Sequence, residues 1–157
     1  YIEEMERLGI IIDVSHLNDA GFYDVLNHTQ KPFVASHSNA RSVCGVARNL
    51  SDDMICELAK RNGVMGINFC SSFLKKDADY SCIEDMVQHI LYIRKLAGID
   101  VIGLGTDFDG ISSQLEIKDA SAMYLLEEAL RKAGLSEAEI EKIFYRNVLR
   151  VYQEILK

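Results

Sequence analysis

The sequence predicts an α/β fold of parallel strands, each followed by a helix. Four short apolar runs rich in β-branched residues recur along the chain, and a segment of helical periodicity follows each one. The runs are continuous rather than alternating, which suits strands covered on both faces of a parallel sheet. The 157 residues fit one unit, and 48% hydrophobic with 26% charged describes a globular core rather than a disordered chain.

Tyr1-Ile2-Glu3-Glu4-Met5-Glu6-Arg7-Leu8 reads as a helix, and Gly9 supplies the left-handed residue that ends it. No Met precedes this segment and it has no leader-like pattern, so the sequence is expected to begin partway through a longer protein. Ile10-Ile11-Ile12-Asp13-Val14 is the first strand, followed by a helical stretch that His28 ends. Phe33-Val34-Ala35 is the second strand, after Pro32, the chain's one proline. Ser51 with Asp52 and Asp53 places a capping side chain and two acids at the positive end of a helix that closes at Asn62-Gly63.

Val64-Met65-Gly66-Ile67-Asn68-Phe69 is the third strand. Ser81-x-x-Glu84 has the form of a capping box and opens a stripe of Ile83, Met86, Val87, Ile90 and Ile93, ending at Gly98. Val101-Ile102-Gly103-Leu104 is the fourth strand. A helix over about 121–132 stops at Gly134, and a second box, Ser136-x-x-Glu139, opens a last helix that runs to the C-terminus. The strands start roughly every 23 to 37 residues, near the ~31 per unit of a (β/α)8 barrel of ~250 residues. Four units make half of such a barrel. A flavodoxin-like open sheet shares the spacing but usually has about five strands.

Charge and cysteine usage narrow the partners. With 17 Lys+Arg against 24 Asp+Glu, the net charge of −7 argues against nucleic acid, which needs a basic footprint. No run approaches the ~18 apolar residues of a membrane span, so no membrane partner is expected. Cys44, Cys56, Cys70 and Cys82 form no C-x-x-C pair and read as free thiols of a reducing, cytoplasmic setting.

Active sites of parallel α/β folds form at the carboxyl ends of the strands. Here those ends carry Ser15-His16, Ser36-His37-Ser38, Asn68-Phe69-Cys70 and Thr106-Asp107-Phe108-Asp109-Gly110. Two imidazoles and a carboxylate on one rim suit a hydrolytic zinc site: neutral imidazole binds a borderline metal, and a carboxylate can deprotonate or orient water. The alternative is that each His is merely hydrogen-bonded at a strand end. His28 reads as a cation at a helix C-terminus and His89 as a flanking residue on its helix. Arg48 is either a clamp for a substrate carboxylate or the partner of a surface salt bridge to Asp52 or Asp53. Gly103-x-Gly105 is too short for a dinucleotide fingerprint and reads as a packing feature, or as a close approach to a phosphate.

Ile12-Asp13-Val14-Ser15-His16, Ser36-His37-Ser38, Arg48-Asn49-Leu50-Ser51-Asp52-Asp53 and Gly105-Thr106-Asp107-Phe108-Asp109-Gly110 together resemble the renal (membrane) dipeptidase family of zinc peptidases. The likeness runs in order through the chain to Arg146-Asn147-Val148-Leu149-Arg150-Val151. It implies a binuclear zinc (β/α)8 barrel that hydrolyses dipeptides, with these residues as the C-terminal half, the last four strand–helix units. By the same resemblance His16 and His37 are ligands of one zinc, Asp107 contacts the bridging water and moves a proton to the leaving amine, and Arg48 holds the substrate carboxylate. The family's H-x-D motif and bridging glutamate have no counterpart here, since no His is followed by x-Asp, and they would lie upstream of Tyr1. Phe73 stands where relatives carry a substrate-contacting Tyr, without its hydroxyl.

The expected partners are therefore a dipeptide and either the N-terminal half of the barrel or a homodimer mate. The isolated chain is expected to bind metal weakly and to be inactive, because two imidazoles supply only part of a tetrahedral set. Two readings compete: a non-catalytic or assembly half-barrel needing a separate N-terminal chain, and a mononuclear hydrolase of the broader amidohydrolase type.

Overall fold

The computed structural model describes residues 1–156. Its centre is a parallel sheet of β1 (Val34–Ala35), β2 (Val64–Ile67) and β4 (Ile102–Leu104), in the order β1-β2-β4. The register sets Val34 beside Val64, Met65 beside Ile102 and Ile67 beside Leu104. The first expected strand is reduced to a bridge from Asp13 to Val34. Val14 N–H still donates to the Val34 carbonyl at 2.8 Å, and Val34 N–H to the Ile12 carbonyl at 2.9 Å. All four expected runs thus lie side by side and point the same way.

Helices α3 (Asp52–Lys60) and α5 (Ile83–Ala97) pack against this sheet and each other, α2 (Asp19–His28) packs on α3, and the short α4 (Ser71–Leu74) packs on α5. Phe22, Phe33, Met54, Leu58, Met65, Ile67, Met86, Ile90 and Ile102 are among the buried side chains of the main core. Successive strand residues face opposite sides. Met65 and Ile67 accordingly enter the main core, while Val64 joins Val151 and Ile155 of α8 (Asn147–Ile155) in a smaller cluster with Ile11 and Val34. Burial on both faces accounts for the continuous apolar runs.

Three of the helix ends expected from capping residues form as the sequence indicates, and one does not. Gly9 closes α1 (Ile2–Leu8) at φ 73°, Ser51 Oγ accepts from Met54 N–H at the start of α3, and both halves of the Ser136–Glu139 box form at α7 (Glu137–Glu141). The Ser81–Glu84 box does not form. Ser81 instead belongs to β3 (Tyr80–Ser81), which pairs in parallel with β5 (Gln114–Leu115), and the free Ile83 N–H donates to Glu116 Oε2 at 2.8 Å. A carboxylate brought in from a distant segment does the capping there, which local spacing does not register.

The helix expected over 121–132 starts with a 3-10 turn and becomes regular as α6 (Tyr124–Lys132). The last helix is interrupted by a π turn over Lys142–Arg146 before α8. That turn delivers buried Asn147, whose amide donates to the Ile99 and Ile102 carbonyls, both at 2.8 Å, and so ties α8 to β4. No helix among the described residues is long and apolar enough to cross a membrane.

Candidate metal centre

The carboxyl ends of the strands converge on one rim, and Asp13 organises the first two. One carboxylate oxygen, Oδ1, accepts from Ser15 N–H at 3.0 Å, Ser15 Oγ at 2.7 Å and Ser36 N–H at 3.0 Å. The other, Oδ2, accepts from Ser36 Oγ. Withdrawal from water raises the Asp13 carboxyl, and these bonds from Ser36 and Ser15 outweigh it, leaving the group below its ordinary range. Ser15 Oγ in turn accepts from His37 N–H at 3.0 Å. The two strand ends are therefore locked in register.

This lock brings the two histidines together at their Nε2 atoms. His16 Nε2 and His37 Nε2 are 2.9 Å apart, with ring centroids at 4.9 Å and planes tilted by 57°. The other nitrogen of His37, Nδ1, lies 2.7 Å from Ser36 Oγ. Burial first of all lowers the His37 imidazole, with Asp107 opposing and Arg48 assisting. Two imidazole nitrogens aimed at one point are a fitting, incomplete donor set for a borderline cation such as zinc. Among the described residues no third His, Cys, Asp or Glu joins them.

Arg48 turns towards this rim rather than to Asp52 or Asp53. Its Nη1 donates to Ser38 Oγ at 3.1 Å and its Nη2 to the His37 carbonyl at 3.3 Å, while the guanidinium sits 5.7 Å over the Phe73 ring. Asp52 and Asp53 are taken by the hydroxyls of Tyr92 and Tyr23, at 2.7 and 2.6 Å. A guanidinium with no carboxylate partner among the described residues, beside paired imidazoles, is suited to an anionic group of a ligand.

Asp107 follows β4 in a left-handed conformation, φ 59°. Its Oδ2 accepts from Asn68 Nδ2 at 3.1 Å. Asn68 is buried and held in turn by Asn39: Asn39 Nδ2 donates to the Asn68 carbonyl and Asn68 N–H to Asn39 Oδ1, both at 2.9 Å. Asp107 also raises both His37 and Arg48 through its charge, so the three groups share one field.

Glycines permit the tight approach of these strand ends. A Cβ on Gly66 or Gly105 would overlap the Ser36 carbonyl oxygen, and one on Gly105 would also lie 2.9 Å from His37 Cα. The glycines of this rim let backbone pack on backbone. Gly105 has no space for a phosphate on that side.

The remaining histidines divide. His28 Nδ1 donates to the Asp24 carbonyl at 2.8 Å in the last turn of α2, the cap expected for it. His89 is not a flanking residue: it is fully buried, accepts from Ala40 N–H at Nδ1 (3.1 Å) and donates from Nε2 to the Leu74 carbonyl (2.9 Å). The ring bridges two loop backbones, one through the Ala40 N–H and one through the Leu74 carbonyl, and these bonds hold it inside. Sequence reasoning also passed over Asp13, Ser36 and Asn68 as site residues. The signal was present: both rim histidines follow a serine, and a carboxylate stands three residues before the first.

An arc of parallel strands with imidazole, carboxylate and guanidinium groups on its carboxyl rim defines a barrel-type α/β protein with a strand-end site. Within that class, the chain belongs to the membrane dipeptidase family, peptidase family M19, whose family model matches residues 1–157. It is 36% identical to an uncharacterized protein in the pqqA 5′ region of Klebsiella pneumoniae, over 98% of this chain and 58% of that protein. It is 33% identical to the dipeptidase tcpJ of Claviceps purpurea, over 98% of this chain and 36% of that one.

Among solved structures it superposes on a metallo peptidase from Rhodobacter sphaeroides liganded with a phosphinate mimic of the dipeptide L-Ala-D-Ala. The TM-score is 0.92 at 33% identity, over 98% of this chain and 45% of that one. An amidohydrolase from Pseudomonas aeruginosa gives a TM-score of 0.90 at 27% identity, over 98% of this chain and 55% of its own. The chain thus spans between 36% and 58% of the length of these proteins.

Proposed function

We propose that residues 1–157 are the C-terminal half of a (β/α)8 barrel that hydrolyses dipeptides with zinc. The observation that carries this reading is the opposed pair of Nε2 atoms of His16 and His37 on neighbouring strand ends. Family membership supports peptidase chemistry, and the dipeptide mimic bound by the Rhodobacter sphaeroides relative supports the substrate class. His16 and His37 would hold one zinc of a binuclear pair. The other ligands would come from the N-terminal half of the barrel or from a homodimer mate, in keeping with a rim where two imidazoles stand without a third ligand among the described residues.

When bound, the metal would supply Lewis-acid polarisation at the rim. The chain's own groups do the rest. Arg48, held by Ser38 and the His37 carbonyl, binds the free carboxylate of the dipeptide and fixes its register. Asp107, steadied by Asn68, takes a proton from the attacking water and returns it to the leaving amine nitrogen. Phe73 backs the guanidinium through its ring face.

The test uses the full-length protein. Zinc content and hydrolysis of a panel of dipeptides are measured for the wild type, His16→Ala and His37→Ala. Each variant should lose zinc and at least ~100-fold in kcat, the scale set by removing a group that carries transition-state charge. Full zinc and full turnover in both variants would sink the assignment. Hydrolysis with one zinc per chain would favour the mononuclear, amidohydrolase-type reading.

A further inference from the structure

The dipeptidase reading uses Nε2 of each rim histidine and leaves open what presents that atom in the right protonation state. A neutral imidazole carries one proton, on either ring nitrogen, and only the bare nitrogen can bind a cation. His37 therefore serves as a ligand through Nε2 only while its proton sits on Nδ1.

The hydrogen bonds around Asp13 decide this. An ionised carboxylate accepts and cannot donate. Ser15 and Ser36 have one hydroxyl proton each, and Asp13 receives both: Ser15 Oγ on Oδ1 and Ser36 Oγ on Oδ2. With its proton committed to Asp13, Ser36 Oγ can only accept from His37 Nδ1, 2.7 Å away. The contact between Ser15 Oγ and Ser36 Oγ at 3.3 Å offers no other route, since neither has a second proton to give. The direction of the chain is thus fixed from one end: Nδ1–H of His37 to Ser36, Ser36 O–H to Asp13.

We propose that Asp13 is a positioning residue for the metal centre, acting through Ser36 Oγ to hold His37 in the Nδ1–H form with Nε2 bare towards His16. This rests on His37 being a metal ligand. Carboxylates commonly orient metal-binding histidines by direct contact, and such outer partners change metal affinity by ~10–100-fold. Here a serine hydroxyl is interposed, and the same carboxylate also holds Ser15, the residue before His16.

The relay has a polarity, and an isosteric change reverses it. In Asp13→Asn the amide oxygen still accepts from the Ser15 and Ser36 backbone N–H groups, while the amide nitrogen now donates to Ser36 Oγ. Ser36 then gives its proton to His37 Nδ1 at 2.7 Å in preference to Ser15 Oγ at 3.3 Å, which places the histidine's proton on Nε2 and blocks the ligand atom. An analogous wrong-tautomer outcome is known when the carboxylate behind a catalytic histidine becomes an amide. Ser36→Ala cuts the relay without reversing it and touches only an exposed side chain, so it serves if Asp13→Asn fails to fold.

The experiment takes the full-length protein labelled with 15N-histidine, stripped of metal and then titrated with zinc against a competing chelator. Nitrogen–proton correlation spectra at a fixed pH of about 8, above the ordinary His pKa, report the tautomer of each ring. Wild-type His37 should show Nδ1–H, Asp13→Asn should show Nε2–H, and Ser36→Ala a mixture. Zinc affinity should fall ~10–100-fold in both variants, further in Asp13→Asn. An unchanged His37 tautomer in both variants overturns the relay, whatever happens to zinc. A changed tautomer together with full zinc binding in His37→Ala upholds the relay and overturns the ligand reading on which its function rests.

Discussion

His37 on the rim and His89 in the interior each have one ring nitrogen tied to a nearby group, and they differ in what the second nitrogen meets. For His89 it is a backbone carbonyl, so the ring bridges the loops around Ala40 and Leu74 and has nothing left to offer. For His37 it is the Nε2 of a second imidazole 2.9 Å away, a bond in which one ring must donate and the other accept. An imidazole bonded on both nitrogens to backbone is structural, whereas two imidazoles that share one bond between their Nε2 atoms can exchange it for a cation held by both. The same distinction separates the two sets of loops. Around His89 the backbone is pinned; along the rim, side chains are pinned and their tips left free.

The sharpest way to break this comparison is one substitution made in both places. His89→Ala leaves a buried N–H and a buried carbonyl without partners and opens a cavity, which should cost about 3–5 kcal/mol. His16→Ala removes an exposed ring and should change stability by less than ~0.5 kcal/mol. Metal binding should respond in the opposite order, lost with His16 and retained in whatever fraction of the His89 variant stays folded. Urea unfolding and zinc analysis on the full-length protein read both. Equal destabilisation at the two sites would erase the contrast.

Acid separates the regions along another axis. Burial lowers the His89 imidazole below its ordinary value of 6.5, with the bond to Leu74 and the charge of Asp85 opposing. A depressed histidine contributes stability that is present above the unfolded value and lost as pH falls through the folded one. Stability should therefore decline from about pH 6.5 downward, by at most ~1.4 kcal/mol per pH unit for one group. His37 is depressed in the same direction, so a residual slope should survive in His89→Gln and disappear only when His37 is also replaced. Asp13 acts lower: its carboxyl is held beneath the ordinary 3.8, and its share is lost only as pH falls below that value. Unfolding curves across pH 3–8 for the three proteins would show two windows, the histidines above and, beneath them, Asp13 together with other carboxylates held low, such as Glu6 and Glu139. A wild-type curve flat between pH 5 and 7 would refute the buried, neutral state of His89.

Much of this arrangement was legible in the sequence, and the parts that were not share a cause. The apolar runs located all four strand positions because burial on both faces writes itself into consecutive residues. Caps at Ser51 and Ser136 were readable because both partners lie within one helical turn. His16, His37, Arg48 and Asp107 could be placed on one rim because strand ends of parallel folds converge. What escaped was every role set by a partner distant in sequence. Glu116 caps a helix 33 residues away, Asn68 braces Asp107 across 39, and His89 meets Ala40 across 49. Ser81 carried a capping pattern and was claimed instead by a strand pairing with Gln114–Leu115. Local pattern cannot rank such competing claims, because the decisive contact is not local.

Asp107 offers the smallest and most discriminating effect. Its φ of 59° is a region that L-residues enter at a cost of roughly 1–2 kcal/mol, which glycine avoids. Among the described residues, the others outside glycine with such an angle are Asn62 and Asp77. Asp107 is the one of the three that faces paired imidazoles and a guanidinium. Replacement by Ala keeps the strain and loses the bond from Asn68. Replacement by Gly loses the same bond, removes the strain, and gives back up to ~1 kcal/mol through a freer unfolded chain. Asp107→Gly should accordingly be as stable as Asp107→Ala or more stable by up to about 1 kcal/mol, the reverse of the order at an ordinary position. Both should lose turnover by the ~100-fold or more that a proton-transfer group contributes. Thermal unfolding and dipeptide hydrolysis on the full-length protein separate the two quantities. If Ala proved clearly more stable than Gly, the backbone at 107 would be relaxed, and the carboxylate there would be held by its hydrogen bond alone.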